Sequence, residues 1–235
     1  VAEDLDQKIQ TLAQWLYDSI YPVFFTGAGI STESGLPDFR GPDGVWTRRD
    51  RGLAPKPMDK PWDAVEPNSG HLALVELQKL DKLKFLISQN VDNLHLKSGI
   101  QSGRIAELHG NMTKLRCSHC EKTIDRSCAE SRCDCGGPLV SSVVDFGQSL
   151  PQRDLALSFE HSRNCDLLVV VGSSLVVTPA AQMPQEALKA GARLVILNAG
   201  DTPYDKQAHL RFYEKIGDVL PAAVKRLKRL MGFFE

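Results

Sequence analysis

Five of the six cysteines fall within nineteen residues, as Cys117-Ser118-His119-Cys120, Cys128 and Cys133-Asp134-Cys135. Two thiols separated by two residues reach one tetrahedral metal ion, and a second pair closes the site, leaving no coordination position to activate water. Cys117, Cys120, Cys133 and Cys135 are therefore the expected ligands of a structural zinc. The second pair is C-x-C, not C-x2-C, so Cys128 stands as an alternative to Cys133 or Cys135. Cys165 precedes an apolar run and is expected in the core. A second constellation is spread along the chain: Gly27-Ala28-Gly29, Gln89-Asn90-Val91-Asp92, Gly172-Ser173-Ser174 and Asn198 each follow a short apolar stretch. Glycine lets backbone approach a pyrophosphate, a helix start offers free N–H groups to it, and Asn, Ser and Asp bond ribose hydroxyls and a carboxamide. Taken alone, Gly27-Ala28-Gly29 reads equally well as a tight turn, because Thr32 stands where G-x-G-x-x-G needs its third glycine; recurrence at four points indicates a dinucleotide. His109, in Glu107-Leu108-His109-Gly110 just ahead of the cysteines, offers a base that titrates near neutrality. In Asp38-Phe39-Arg40, Arg40 can contact phosphate and Phe39 can cover a reacting sugar, although Asp38 and Arg40 also suit a surface ion pair.

The elements that must position these residues follow from periodicity. Val23-Phe24-Phe25, Lys84 to Ser88, Leu167 to Val171 and Leu194 to Leu197 read as strands buried on both faces. Helical spacing covers Leu5 to Leu16, Leu72 to Leu80, Asp154 to His161, Ala181 to Lys189 and Val219 to Met231. Apolar strands alternating with helices indicate an α/β fold, a doubly wound parallel sheet of Rossmann-like type, and the cysteine stretch is a small zinc-binding insert with its own source of stability. In such a sheet ligands bind beyond the carboxyl ends of the strands, so the four glycine- or amide-bearing ends should share one rim. Pro55, Pro57, Pro61 and Pro67 make the interval before the second helix an extended excursion bordering the site.

Composition narrows the function classes. With 42% hydrophobic residues and 28 basic against 29 acidic, net charge −1, the chain is globular and carries no global field toward nucleic acid or anionic membrane. The insert has few aromatic or clustered basic residues, and Lys225-Arg226-Leu227-Lys228-Arg229 reads as ordinary cations in the last turns of a helix, so direct nucleic-acid binding is not expected. No membrane span or secretory signal is visible, which suits reduced thiols and an intracellular setting, cytoplasmic or nuclear.

From about Phe25 to Val219 the ordered motifs GAGIST, LPDFRG, QNVDNLH, ELHGNM, the cysteine cluster, VVDFG, GSSL and LVILNAG resemble those of the sirtuins, NAD-dependent protein lysine deacylases. GVWTRRDRGLAPK and SLPQRDLALSFEHSRN resemble the class IV branch. The resemblance implies one catalytic domain over 1–235: a Rossmann-like NAD-binding part, 1–112 and 140–235, a zinc module, 113–139, and a loop region, 41–70, over the cleft. By motif, Gly27, Ala28, Gly29, Ser31, Asp38, Phe39, Arg40, Gln89, Asn90, Asp92, His109, Gly172, Ser173, Ser174, Asn198 and Ile216 would line the NAD site. His109 would be the base, with Asn90 and Asp92 ordering carboxamide and ribose. The acyl oxygen of an acylated lysine would displace nicotinamide from the ribose, a ribose hydroxyl deprotonated through His109 would attack the resulting imidate carbon, and water would complete release of lysine and O-acyl-ADP-ribose. Val144, Phe146, Gly147, Leu175 and Val176 would sandwich the substrate peptide as an added strand. Gln148 replaces the acidic residue usual after that Phe-Gly. The competing functions are mono-ADP-ribosyl transfer from the same cleft, and NAD or ADP-ribose sensing without turnover. Only 48 residues, Gly41 to Ser88, separate the DFR motif from Gln89, a reduction shared with class IV relatives, and this implies preference for long acyl chains.

Overall fold

The computed structural model describes residues 4–233 apart from 59, 129–131 and 146; the Cys128 side chain also lies outside the described part. Helix α1 (Leu5–Asp18) leads into β1 (Pro22–Thr26); a 3₁₀ segment (Ala28–Ser34), α2 (Val45–Asp50) and α3 (Ser69–Lys79) precede β2 (Phe85–Ser88). Then come α4 (Leu94–Ser98), β3 (Ile105–Glu107) and the short strands β4 (Lys114–Cys117), β5 (Thr123–Asp125) and β6 (Leu139–Ser141). The chain finishes with α5 (Gln152–Asn164), β7 (Leu167–Val171), α6 (Met183–Lys189), β8 (Arg193–Leu197), β9 (Leu210–Phe212) and α7 (Ile216–Leu230).

The main sheet is parallel throughout, in the order β3-β2-β1-β7-β8-β9, the doubly wound arrangement expected from the sequence. Side chains alternate across it. Phe24, Leu86, Val169 and Val195 face one way, into a core with Leu12, Leu16, Leu74, Leu77, Leu220 and Leu227 of α1, α3 and α7. Val23, Phe25, Ile87, Val170 and Ile196 face the other way, toward Met183 and Ala187 of α6 and the partly buried Leu155 and Phe159 of α5. Both faces are covered, which is why these strands are apolar without interruption.

Outside the cysteine-bearing lobe, the described elements α2, α4, β3 and β9 escape periodicity. Strands β3 and β9 are three-residue edge strands with Glu107 and Arg211 among their residues, too short and too polar for a period to show. Within the proline-rich interval, Val65 packs with Leu36, Leu94 and Met58 in a small separate cluster, so the excursion is pinned beside the turn after β1 and the start of α4. The cysteine-bearing lobe is an antiparallel sheet, order β5-β4-β6, and it runs to Ser141, slightly past the expected end of the insert. Among the described residues no helix is long and apolar enough to cross a membrane.

Candidate active site

The hydrogen-bond ladder continues past the strand ends. Gln89 N donates to Thr26 O at 2.9 Å, Gly27 N to Val171 O at 3.1 Å, Gly172 N to Leu197 O at 2.8 Å and Asn198 N to Phe212 O at 3.1 Å. The four expected strand ends therefore stand side by side on one rim. Strand order reverses between β1 and β7, so the loops beginning at Gly27 and Gly172 flank the switch point where this topology binds ligands. They also touch: Gly29 N donates to Gly172 O at 2.8 Å, and a Cβ on Gly172, whose φ is +66°, would lie 2.3 Å from Ile30 N. Packing of loop on loop already demands these glycines.

Behind the rim a polar network orders the expected ribose and carboxamide residues. Ser31 Oγ donates to Asp92 Oδ2 at 2.6 Å and accepts from Asn90 Nδ2 at 3.3 Å, while Asp92 Oδ1 accepts from Leu94 N at 2.9 Å. Asn90 is buried and its Oδ1 has no partner, an acceptor left open for the N–H or O–H of a ligand. Ser173 Oγ donates to Gln89 Oε1 at 2.7 Å. His109 Nδ1 lies 2.9 Å from Gln89 O. A carbonyl only accepts, so Nδ1 carries the hydrogen and Nε2 is left with the lone pair. Burial pushes the His109 imidazole below its ordinary pKa and the Gln89 carbonyl opposes this, so the ring is neutral at pH 7 and ready to take a proton.

The outer candidates have more varied settings. Asp38 Oδ1 accepts from Gly41 N at 3.2 Å, and a Cβ on Gly41 or Gly44 would strike that carboxylate, so Asp38 shapes its own loop in place of the suggested ion pair with Arg40. Burial raises its pKa. Phe39 is 48% exposed and stacks on Trp46 at 5.9 Å, and the Arg40 side chain is exposed beside it. Asn198 is held by Arg211, whose Nη1 donates to Asn198 O at 2.6 Å while its Nε donates to Asp205 Oδ1 at 2.9 Å. Ala28 and Ser174 are half-buried at the rim. Ile216, the first residue of α7, is turned into the core, so its side chain is committed away from the rim.

Two histidines that periodicity left without a role lie in the floor of the site. His95 Nε2 is 2.9 Å from Thr26 Oγ1, the last side chain of β1, and the His95 ring packs on that of His71 with centroids 5.1 Å apart. Asn68 caps α3 over His71 and donates to Ile30 O and Ser34 Oγ of the 3₁₀ segment. The pattern Asn68-x-x-His71 was the available sign, a capping box with imidazole at its third position. Burial holds His95 at about 4, and burial with the neighbouring His95 holds His71 at about 3, although the Asp92 carboxylate pulls His71 upward. Both bind protons in the unfolded chain near pH 6.5 and resist them when folded. Stability is therefore complete above that pH and is lost as pH falls toward 4, by up to about 2.7 kcal/mol per pH unit for two protons. Urea midpoints measured from pH 7 to pH 5 should fall steeply; a flat profile would contradict the buried neutral pair.

The lobe gathers its thiols. Ligand atoms of Cys117, Cys120, Cys133 and Cys135 all lie within 4.8 Å of one another, and Sγ separations are 3.4 Å for 117 to 135, 3.5 Å for 120 to 135 and 3.7 Å for 120 to 133. A disulfide would need about 2.05 Å, whereas the edge of a tetrahedral zinc tetrathiolate is about 3.8 Å. The donor set fits zinc. The C-x-C spacing works because Gly136, with φ +83°, turns the chain and because a Cβ on Gly137 would lie 2.6 Å from Cys117 Sγ. Cys165 is buried in the core, as expected.

Comparison with known proteins places this geometry. The Sir2 family model matches residues 27–60 and 55–179. An NAD-dependent protein deacylase 2 of Archaeoglobus fulgidus is 42% identical over 253 residues, covering 96% of this chain and 98% of its own. The chain belongs to the Sir2 family. An NAD-dependent protein deacetylase, SRT1 of Oryza sativa subsp. indica, is likewise 42% identical over 93% of this chain, which spans only 48% of that protein's length. A solved structure described as a Sir2, p53 peptide and NAD+ complex superposes with a TM-score of 0.74 at 31% identity, covering 96% of this chain and 99% of that one. In this Sir2-family chain the matched span holds every candidate except Asn198 and Ile216.

The remaining candidates concern a peptide. Val144 N donates to His109 O at 3.0 Å, tying its segment to the candidate base, and Val143 and Asp145 line a groove of about 580 Å³ with Arg116, Val140 and Leu150. Gly147 is exposed with φ +84°; Phe146 lies outside the described residues. Val176 is exposed on the facing loop, whereas the Leu175 side chain is buried in the core and only its backbone can meet a peptide. Gly110, next to the imidazole, is required by a close approach of backbone: its φ is +78°, and a Cβ there would fall 1.9 Å from Ser142 O.

Proposed function

We propose that this chain is an NAD-dependent protein lysine deacylase that moves the acyl group of a modified lysine onto ADP-ribose and releases nicotinamide. The observation that carries the reading is His109, held as its Nδ1–H tautomer on the carbonyl of Gln89, next in sequence to Asn90 with its open Oδ1. Bound NAD would supply the electrophilic ribose carbon and the nicotinamide leaving group. Gly27, Ala28, Gly29, Arg40, Ser173, Ser174 and Asn198 would hold its phosphates and outer ribose along the rim. Asn90 Oδ1 would accept from the carboxamide or a ribose hydroxyl, and Asp92, ordered by Ser31 and Leu94 N, would fix the inner ribose. His109 Nε2 would take the proton of a ribose hydroxyl as that oxygen attacks the acyl carbon, and would return it to the departing lysine, with one water consumed to complete the release. Phe39 would cover the reacting face and exclude water. Zinc bound by the four cysteines would stabilise the lobe; with all four positions filled by thiolate it takes no part in the chemistry. The acyl-lysine peptide would pair by its main chain between Val144 and Val176.

Incubation with NAD and acetyl-, succinyl- and myristoyl-lysine peptides, with mass spectrometry of both products, tests the reading. Nicotinamide and O-acyl-ADP-ribose are expected; ADP-ribose attached to protein, with the acyl-lysine left intact, would replace it with ADP-ribosyl transfer. The class IV placement is the finer part of the proposal. It rests on GVWTRRDRGLAPK and SLPQRDLALSFEHSRN, since a rice and an archaeal relative share the same 42% identity.

Within the panel, kcat/KM should be higher for the myristoyl than for the acetyl peptide. Between α2 and α3 the cover has one 3₁₀ turn, Trp62–Ala64, in place of a longer helical module, and a small acyl group has less to hold it. A long chain recovers positioning by burying methylenes, each worth about 0.8 kcal/mol when fully sequestered. From Val45 to Asp63 there is no tyrosine to pair with arginine in clamping an acidic acyl group, so succinyl should not be preferred. Equal or better turnover of the acetyl peptide at saturating NAD would refute the chain-length argument alone.

A further inference from the structure

Asn111 is fully buried, and all of its polar groups are engaged. Its N–H donates to Ser142 Oγ at 3.0 Å, and its carbonyl accepts from the same hydroxyl at 2.6 Å and from Lys114 N at 3.1 Å. Side-chain Oδ1 accepts from Thr113 N at 2.9 Å and from Thr113 Oγ1 at 2.8 Å. Nδ2 donates to Asn93 Oδ1 at 2.8 Å and to Glu107 Oε1 at 2.6 Å. Three parts of the molecule meet on this one residue. Asn93 follows Asp92 in a loop that Met112 N also holds, by donating to Val91 O at 2.9 Å. Glu107 lies at the end of β3, two residues before His109, and its other oxygen takes Lys114 Nζ, from the first residue of β4, at 2.6 Å. Ser142 belongs to the returning linker, which two residues later bonds His109 O through Val144 N.

We infer that Asn111 is a positioning residue for the reaction: its two Nδ2 hydrogen bonds set His109 and the Asp92 loop relative to each other and transmit the seating of the cysteine-bearing lobe to both. The inference rests on the deacylase reading for its rate effect, but its geometry does not depend on that reading. Neither donor can be spared. Asn93 sits at φ +66° and its side chain is directed to this amide, so loss of the bond frees a loop already in a left-handed conformation. The Glu107 and Lys114 side chains are only 13% and 22% exposed, so loss of the other bond leaves part of a mostly buried ion pair unsatisfied.

Asn111→Asp tests this, because it preserves shape and the Oδ1 bonds to Thr113 while replacing both donors with an acceptor. In zinc-loaded, folded protein kcat should fall about 10- to 100-fold, the size of effect seen when a supporting residue lets reacting groups drift by about 1 Å. Combining it with Glu107→Gln restores an N–H···O bond of reversed direction between positions 107 and 111, and Asn93 can turn its amide to donate. The double variant should recover at least half of the lost activity on a logarithmic scale. A second readout needs no turnover: ¹⁵N shifts of the His109 ring should show the Nδ1–H tautomer in the parent, a mixture of tautomers in Asn111→Asp, and the parent pattern in the double variant. Parent-like kcat and His109 shifts in Asn111→Asp, or a double variant no better than the single one, would overturn the inference. If the parent itself fails to deacylate while the ring shifts follow the expected pattern, the deacylase reading falls and the positioning role stands.

Discussion

His109→Ala should lower deacylation about 10²- to 10⁴-fold while NAD binding, followed by calorimetry, stays close to that of the parent. The asymmetry follows from where the ring sits. Its one hydrogen bond runs to the backbone of Gln89, and the residues expected to seat the dinucleotide are held by partners of their own: Ser31 and Asp92 by each other, Ser173 by Gln89, Asn198 by Arg211. Removing the imidazole takes away the proton acceptor and leaves that scaffold intact. Because burial holds His109 below the ordinary histidine range, the base is present at pH 7 and is lost only as pH falls through its depressed value, so the acid limb of kcat/KM should lie below pH 6.5. Near-normal turnover in the alanine variant would remove His109 from the chemistry.

Extraction of the metal, or Cys117→Ser, should unfold the lobe and abolish activity, while the main sheet remains folded. Between Lys114 and Ser141 the buried described residues are Cys117, Cys133 and Gly137, so the described part of the lobe has no apolar core with which to offset the entropy of ordering its strands. The main part has two extensive cores, one on each face of the sheet, and neither draws on the lobe. Activity should go with the lobe because its returning linker runs past His109: Val144 N on His109 O, and Ser142 against Gly110 and Asn111. Hydrogen exchange should show amides of Lys114–Cys117 and Leu139–Ser141 losing protection on chelation while those of Leu167–Val171 keep theirs. A well-folded, fully active preparation with substoichiometric zinc would refute a structural metal.

The two kinds of motif differed in how much they disclosed. The cysteine set was readable because a metal site concentrates its ligands in short spacings, and even the C-x-C departure closed on Cys133 and Cys135 through the turn at Gly136 and the missing side chain of Gly137. Cys128, the alternative ligand, has its side chain outside the described part. The strand ends were readable because a strand buried on both faces is apolar until it stops, so Gly27, Gln89, Gly172 and Asn198 stand out where hydrophobicity breaks off. The paired histidines of the floor did not stand out. His71 and His95 are 24 positions apart, each on a helix whose other buried residues are mostly apolar, and nothing local says that their rings meet under Thr26.

By itself the sequence determined the parallel α/β fold, the rim of the sheet on which the candidate site stands, the four cysteines that cluster and the residue types available to hold a dinucleotide. Each of these depends on periodicity or short spacing, which are properties of a few consecutive residues. Only the tertiary structure decided which atoms are free to act. His109 presents Nε2 because Nδ1 meets the carbonyl of Gln89 just past the end of β2, and Asn90 Oδ1 is open while Ser31, 59 positions away, takes the amide nitrogen. Gly110 is glycine because a linker returning from the lobe crosses it, and Asn111 joins three segments that are remote in sequence. A hydrogen bond or a steric contact between distant segments leaves no period in the chain, because its partner's position is set by how the layers pack and not by the residues on either side.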